Sequence, residues 1–219
     1  MSSHLDLEEQ EQLDELKHFW KQYGNAITWL LIAVMGSYVG WTGYQYWERQ
    51  QSAKAAALFD EVERTAAAGD AAKMERAWND MKDRFPGTTY AAQSALLAAR
   101  VFQHADKSDA AQVALKWASD NASDEASAQL ARLRLANLQV QQKSFDEALK
   151  TLSKPFQASF AGLAADVQGD ILMAQNKSPE AIKAYADAWR QLSDNAEYRR
   201  LVAAKLNALG VDPTSAKGP

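Results

Sequence analysis

The pattern of polar and apolar positions divides the chain into two parts. In the first part, residues 22–47 form 26 consecutive positions without Lys, Arg, Asp, Glu or His, although 24% of the whole chain is charged. A helix rises about 1.5 Å per residue, so a stretch of this length can cross a hydrocarbon core of about 30 Å. Both ends carry aromatic residues whose rings can lie among lipid headgroups: Trp20, Tyr23 and Trp29 on one side, and Trp41, Tyr44, Tyr46 and Trp47 on the other. The pattern predicts a transmembrane helix over residues 22–47.

A cleaved signal peptide is the alternative interpretation of this segment. The small residues of Ala53-Lys54-Ala55 stand at a plausible cleavage position. The apolar core of a signal peptide is only about 7–15 residues long, however, and this apolar segment is longer. We therefore expect the chain to keep its anchor.

After the span, apolar residues recur at intervals of three and four, and no run of alternating Val, Ile and Thr predicts a strand. Breakers interrupt the pattern at Gly69-Asp70, Pro86-Gly87, Asp106 to Ser108, Asn121 to Asp124, Lys143-Ser144, Pro155, Asn176 to Pro179 and Asp194-Asn195. The segments between them predict an all-α body of nine helices: 50–68, 71–85, 89–105, 109–120, 124–142, 145–154, 158–175, 179–192 and 196–209.

An internal repeat of 33 residues runs through this body. Leu135, Ala136, Phe145, Ala148 and Leu152 share their offsets with Gln168, Gly169, Ser178, Ala181 and Tyr185. A third copy fits Leu97, Ala98, Ala110 and Ala114; residues 50–85 supply a degenerate fourth, and the helix at 196–209 caps the stack through Leu201, Leu206 and Leu209. Helix pairs of fixed period must stack to bury their apolar faces, so the repeat favours a tetratricopeptide-like solenoid of helical hairpins over an irregular bundle.

Four segments follow from these patterns: an acidic tail at 1–21, the span at 22–47, the repeat domain at 48–212 and a flexible tail at 213–219. The first segment holds six acidic residues against Lys17 and Lys21. With Leu13, Leu16 and Trp20 at helical spacing, it is either an amphipathic stretch beside the membrane or a disordered solubilising tail.

The charges do not orient the span, because Lys17 and Lys21 precede it and Arg49 and Lys54 follow it. The absence of cysteine suits an oxidising compartment and is compatible with a reducing one. Residues 48–219 hold 22 acidic and 22 basic residues. This balance argues against nucleic-acid binding.

Within the span, Gly36, Gly40 and Gly43 lie near one helix face. Such a strip allows another transmembrane helix to pack closely, but glycine is also common in membrane spans generally. Both interpretations stay open.

The sequence also resembles a known family across most of its length. Arg132-Leu133-Arg134-Leu135-Ala136-Asn137-Leu138-Gln139-Val140-Gln141, Ala148-Leu149-Lys150-Thr151-Leu152 and Ala165-Asp166-Val167-Gln168-Gly169-Asp170 are similar to the YfgM-type ancillary subunits of the bacterial SecYEG translocon. The resemblance implies a single-pass inner-membrane protein of a Gram-negative bacterium, with its tail in the cytoplasm and its repeat domain in the periplasm. It also implies two partners: the Sec translocon and a membrane-anchored periplasmic chaperone of the prolyl-isomerase-like type.

Nothing in the sequence indicates an enzyme. With no cysteine and three isolated histidines, His4, His18 and His104, we expect no catalytic residue, no metal site, no cofactor and no small-molecule substrate. His104 near a helix end is a capping or surface residue rather than a ligand. Asp166 and Asp170 lie four apart on one helix face, and they are either an acid–base pair or, as we prefer, surface charges or partners of a neighbouring hairpin.

Among the aromatic residues of the body, most are expected in the core. Phe156 and Phe160 follow Pro155 in a segment that reads as a loop leading into a helix. We predict that they lie on the concave surface as anchors for a bound peptide.

These observations predict a non-enzymatic adaptor at the Sec translocon that links emerging secretory proteins to the periplasmic chaperone network. Its predicted partners also include the lipid bilayer and the secretory polypeptides themselves. The alternative is a membrane-anchored oligomeric scaffold whose repeat domain lies in the cytosol and is unrelated to secretion.

Overall fold

The computed structural model describes residues 7–193 and 197–213, with side chains from residue 12 onward. Every regular element in this part of the chain is a helix. In chain order these are α1 (Leu7–Ala68), α2 (Ala71–Arg84), α3 (Thr89–His104), α4 (Ser108–Asn121), α5 (Glu125–Gln141), α6 (Phe145–Leu152), α7 (Ala158–Ala174), α8 (Ser178–Gln191) and α9 (Glu197–Ala208). The all-α prediction is confirmed.

The helix ends lie within two residues of the predicted positions from α2 to α9, because the breakers act where they were expected. Asp70 caps α2 by accepting from the backbone amides of Ala72 and Lys73, at 3.1 and 3.0 Å. Thr88 and Asp124 accept in the same way from Ala91 and Ser127. Each side chain pairs an amide that the helix itself leaves free. The predicted break at Asp194-Asn195 lies outside the described residues.

At its beginning, the chain differs from the predicted division into helices. The span and the helix expected at 50–68 are parts of the single helix α1. The residues between them, Glu48 to Gln51, are good helix formers, and no glycine, proline or capping residue stands among them. The chain forms two compact units, and the boundary between them lies within this helix, between Gln51 and Ser52.

The second unit is a series of helical hairpins joined by one repeated turn. Asp106, Lys143 and Asn176 have φ of 57°, 61° and 59°, and they lie 37 and 33 residues apart. After each of them, the next residue donates its amide to a carbonyl five positions back, at 2.8, 2.9 and 2.8 Å. This arrangement is the Schellman turn that ends helices, and Gly210 repeats it after α9.

These turns set the register of the repeat. The seventh residue before each turn is Ala99, Ala136 and Gly169, and the fifth residue after it is Ala111, Ala148 and Ala181; all six are buried. The predicted pairs Ala136/Gly169 and Ala148/Ala181 are therefore equivalent. The third copy lies one residue later than the predicted Ala98, Ala110 and Ala114. The turn at Asp106 fixes the register of this copy, whereas neighbouring alanines fit the repeat pattern equally well in either register.

Small residues at these positions allow close helix packing. A Cβ built on Gly169 would lie 2.5 Å from Cδ1 of Tyr185, and one on Gly162 would lie 2.8 Å from Cγ of Leu192. Larger side chains fill the space between hairpins, with Trp78, Phe102 and Leu115 buried in the first core cluster. From α2 to α9, neighbouring helices pack in chain order, and α3 and α7 each also pack against α5. Hairpins that stack on their first helices in this way are typical of tetratricopeptide folds.

The last helix closes this series as expected, with one exception. Leu206 and Val202 of α9 are buried against α8, and Leu209 is partly buried in the same cluster. Leu201, the third leucine assigned to the cap, is 48% exposed.

Candidate functional site

The apolar part of α1 has no covering within its own unit. Its helix is long and apolar enough to cross a membrane, and none of its most apolar window is buried. Thr28, Ser37 and Thr42 donate their hydroxyl hydrogens to carbonyls one turn back, at 2.7, 2.8 and 2.7 Å. These bonds pair the hydroxyl groups inside the helix, which a hydrocarbon environment requires.

The glycine strip of Gly36, Gly40 and Gly43 lies on this helix. Apart from the adjoining residues and the backbone of the helix itself, no atom of the described residues lies within 4 Å of a Cβ placed at any of the three. At Gly24, in contrast, the Cβ would lie 3.2 Å from the ring of Trp20. The strip is therefore open to a partner, whereas Gly24 packs against its own helix.

Phe156 and Phe160 are half-buried at the link between α6 and α7. Both pack against the second core cluster, which includes Ala136, Ala148 and Ile171. The guanidinium of Arg132 lies 3.9 Å from the centroid of the Phe156 ring and donates to the carbonyl of Pro155 at 2.6 Å. Burial lowers the pKa of Arg132 from its ordinary value. The link is thus fixed to α5, and each ring offers only part of its surface to a partner.

A second contact holds the same link. The buried side chain of Gln129 accepts the backbone amide of Gln157 at 2.8 Å, and its own amide donates to Glu125 at 2.8 Å. Pro155 and the residues around it therefore have a defined conformation set by α5.

Asp166 and Asp170 form the main charged cluster of the repeat unit. Asp166 is fully buried, and the ammonium of Lys205 donates to both carboxylates at distances from 2.7 to 2.9 Å. Tyr198 donates its hydroxyl hydrogen to Asp166 at 2.6 Å, and Tyr185 donates to Asp170 at 2.7 Å. Of the two preferred interpretations, pairing with a neighbouring element describes what the structure contains, whereas the interpretation as surface charges is wrong for Asp166, which is fully buried.

This cluster joins three helices, because the carboxylates belong to α7, Tyr185 to α8, and Tyr198 and Lys205 to α9. Burial raises the pKa of Tyr185 well above its ordinary value, and the hydrogen bond to Asp170 adds to the effect. Burial and then the hydrogen bond to Asp166 raise the pKa of Tyr198 in the same direction. Both hydroxyl groups stay protonated at neutral pH and act as donors. A fully paired cluster of this kind fixes α9 rather than exchanging protons with a substrate.

The sequence did not indicate Lys205 and Tyr198 as partners of Asp166, because they lie 39 and 32 residues away in another helix. The sequence did contain one signal. Asp166 and Asp170 stand at the positions that Leu133 and Asn137 occupy in the preceding repeat.

The remaining titratable candidates do not converge. His104 lies exposed at the end of α3, His18 lies exposed in α1, and His4 is outside the described residues. Among the residues that the structure covers, no three side chains of His, Cys, Asp or Glu come together as metal ligands.

Comparison with known proteins gives a consistent result over nearly the whole chain. A family model described as a tetratricopeptide repeat-like domain matches residues 17–211. A Neisseria gonorrhoeae protein named ancillary SecYEG translocon subunit is 36% identical over 95% of this chain and 100% of its own length. Proteins of the same name from Haemophilus influenzae and Escherichia coli are 28% and 30% identical, over 93% and 81% of this chain and 98% and 85% of their own lengths. The similarity includes both the apolar helix and the repeat unit.

The Asp166 cluster leads to a stability prediction. Lys205→Met leaves two carboxylates, one of them fully buried, without a counter-charge, so we expect the free energy of unfolding to fall by about 3–5 kcal/mol. Urea unfolding followed by circular dichroism measures this change, and hydrogen exchange should show faster exchange in α9. Lys183→Met, an exposed lysine of α8, is the matched control and should change stability by less than about 0.5 kcal/mol.

A triple variant separates lost charge pairing from lost packing. Combining Lys205→Met with Asp166→Leu and Asp170→Asn removes the unpaired charges together, and it should recover much of the lost stability. If Lys205→Met is as mild as Lys183→Met, the cluster does not hold α9.

Proposed function

Because the chain belongs to the family of ancillary SecYEG translocon subunits, we propose that it is a membrane-anchored, non-enzymatic adaptor at the Sec translocon. In this role its repeat domain links emerging secretory proteins to the periplasmic chaperone network. The observation that carries the proposal is the match of anchor and repeat unit together to relatives of that name, at 36% identity over the full length of one of them.

The physical form of the chain supports an adaptor. The span confines the domain to the membrane, and only residues 48–51 separate the span from Ser52, where the repeat unit begins. Tethering to the membrane raises the effective concentration of the domain for partners at the same membrane. Modest, non-covalent recognition by a helical-repeat surface is then sufficient.

The proposed arrangement is a single pass of the bacterial inner membrane, with the N-terminal tail in the cytoplasm and the repeat domain in the periplasm. The partners would be the Sec translocon, a membrane-anchored prolyl-isomerase-like chaperone and secretory polypeptides. The resemblance in sequence supports this orientation, and the absence of cysteine is compatible with it.

The glycine strip is the part of the span that we assign to contact with the translocon. Its three glycines are open to a partner helix, and small residues on one face let two helix backbones approach closely. Phe156 and Phe160 stay our candidates for contact with the chaperone or with a polypeptide, through the parts of their rings that the core leaves uncovered.

The orientation predicts a labelling pattern. Since the chain has no cysteine, Val113→Cys provides a single thiol at a position that is 59% exposed in the repeat unit. A membrane-impermeant maleimide should label it in intact spheroplasts, whereas Leu13→Cys in the tail should react only after the membrane is opened. The reverse pattern would favour the cytosolic scaffold instead.

The span predicts a crosslinking pattern. A photo-crosslinking residue at Ile32, one turn before Gly36 on the same face, should give products with translocon subunits. Val34 lies about 160° around the helix from Gly36 and is similarly exposed, so a probe there is the matched control and should give few such products. Equal yields from the two faces, or products with a second copy of this chain alone, contradict the assignment of the strip.

The two phenylalanines predict a loss of partner capture. Phe156→Ala with Phe160→Ala should weaken co-purification of the membrane-anchored chaperone with the full-length protein at least about tenfold, as for aromatic anchors at interfaces. Leu152→Ala is the control, because Leu152 is partly buried against the same cluster and its loss imitates the effect on stability. Near-normal capture by the double variant, in a protein that still folds, would remove these residues from the interface.

A further inference from the structure

An open groove lies on the face formed by the first helices of successive hairpins. The second half of α1 acts as the first helix of one hairpin, and α3 and α5 follow it. The second half of α1 ends just before Gly69, whose φ is 66°, and Glu63 is the sixth residue before this glycine, as Arg100 is the sixth residue before Asp106. Leu97 and Arg134 are the ninth residues before Asp106 and Lys143. Equivalent positions on neighbouring helices face the same way, and these four residues border one cavity of about 340 Å³.

The floor and the rim of this groove differ in character. Phe59, Leu96 and Leu97 form an apolar floor, and the ring centroid of Phe59 lies 5.3 Å from that of Tyr90, which holds it in place. Glu63 stands on the rim contributed by α1, and Arg100 and Arg134 stand on the rims contributed by α3 and α5. One edge is thus acidic, and the other two helices contribute guanidinium groups.

The two arginines are available for a partner. Both are exposed, and neither makes an ion pair or hydrogen bond to another residue in the part of the chain that the structure describes. Arg132 and Arg190 differ in this respect, since Arg132 donates to Pro155 and Arg190 pairs with Asp187. Among the described residues, Arg76 and Arg200 are also exposed without such a partner, but they do not line the groove. A guanidinium presents a planar set of donors that matches a carboxylate, so two of them beside an apolar floor complement an acidic and apolar ligand.

We infer that the groove between Arg100 and Arg134 binds an extended polypeptide segment in which a large apolar side chain stands beside acidic side chains. The apolar side chain covers Phe59, Leu96 and Leu97. The carboxylates lie between Arg100 and Arg134, away from the like charge of Glu63.

Charge excludes a polyanion as the occupant. Residues 48–219 have no net charge, and Glu63 of α1 places an acidic side chain on the groove itself. A nucleic acid would need a continuous basic surface, whereas a short acidic segment needs only the two arginines.

This inference rests on the proposed function, in which the repeat domain recognises polypeptides, and it names the site and the chemistry of the segment. The Ile32 crosslinking experiment tests placement at the translocon without involving the groove. Either result can therefore fail while the other holds.

Fluorescence polarisation on the full-length protein in detergent tests the groove directly. The probe is a fluorescein-labelled, C-terminally amidated peptide, Gly-Ser-Leu-Phe-Asp-Glu-Ser-Gly, and its neutral counterpart carries Asn and Gln in place of Asp and Glu. We expect the acidic probe to bind at least about tenfold more tightly than the neutral one, since charged hydrogen bonds are lost in the latter.

Paired variants locate the effect. Arg100→Gln with Arg134→Gln should weaken binding of the acidic probe at least about tenfold. The control is Arg76→Gln with Arg200→Gln, which removes the same charge from exposed positions outside the groove and should change affinity by less than about twofold. Arg100→Glu with Arg134→Glu should instead prefer a probe that carries two lysines, which would show that a weakened variant is still folded.

Three results would overturn the inference. The first is equal affinity for the acidic and neutral probes, or no binding of either. The second is an equal loss in the groove and control variants. The third is tight binding of the neutral probe once its C-terminal amide is replaced by a free carboxylate, which would identify a chain terminus as the occupant.

Discussion

The close packing of helices at alanine and glycine is the constraint on which the repeat unit depends. A hairpin of two short helices cannot bury its apolar face by itself, and most of its stability comes from neighbouring hairpins. Ala136 and Ala148 are fully buried in the middle of the series, and at Gly169 even a methyl group would meet the ring of Tyr185. Aromatic and leucine side chains can fill the interior only because these small residues set the distance between helices.

Helix α9 is attached by a polar cluster in addition to the apolar packing of Val202 and Leu206. Along the middle hairpins, apolar residues such as Leu96 and Leu133 occupy the position that Asp166 occupies on α7. On α7, the carboxylates of Asp166 and Asp170 instead bind the ammonium and the hydroxyl of α9 and the tyrosine hydroxyl of α8. Apolar contact permits sliding, whereas a buried ion pair requires one alignment, since a shifted helix would leave Asp166 unpaired. Lys205 therefore adds a register constraint to the apolar packing of Val202 and Leu206, whereas Leu201 is exposed and contributes little.

The sequence predicted local features well and distant ones poorly, for physical reasons. Glycine, proline and capping residues act on their own neighbours, so the ends of α2 to α9 could be placed closely. The sequence analysis missed that the span and the first repeat helix form one helix. The charged residues that begin at Glu48 marked the end of the span, but Glu48 to Gln51 are good helix formers and do not end the helix. The one-residue error at Ala98 arose because neighbouring alanines fit equally well until the turn at Asp106 fixes the register. The contacts of Asp166, and the fixing of Phe156 by Arg132, join residues too far apart in sequence for any spacing rule.

Tethering and an open recognition face are physically matched. A groove open to solvent, with exposed arginines, gains little from desolvation, so the binding that we propose for it would be weak for each segment. In free solution such binding would be lost by dilution, but a domain confined to the membrane meets its partners at a high effective concentration. Weak contacts also dissociate quickly, because differences in affinity lie mainly in the dissociation rate. The adaptor role that we propose needs this combination of a permanent anchor and weak, reversible binding, and an enclosed pocket with a tightly held ligand would work against it.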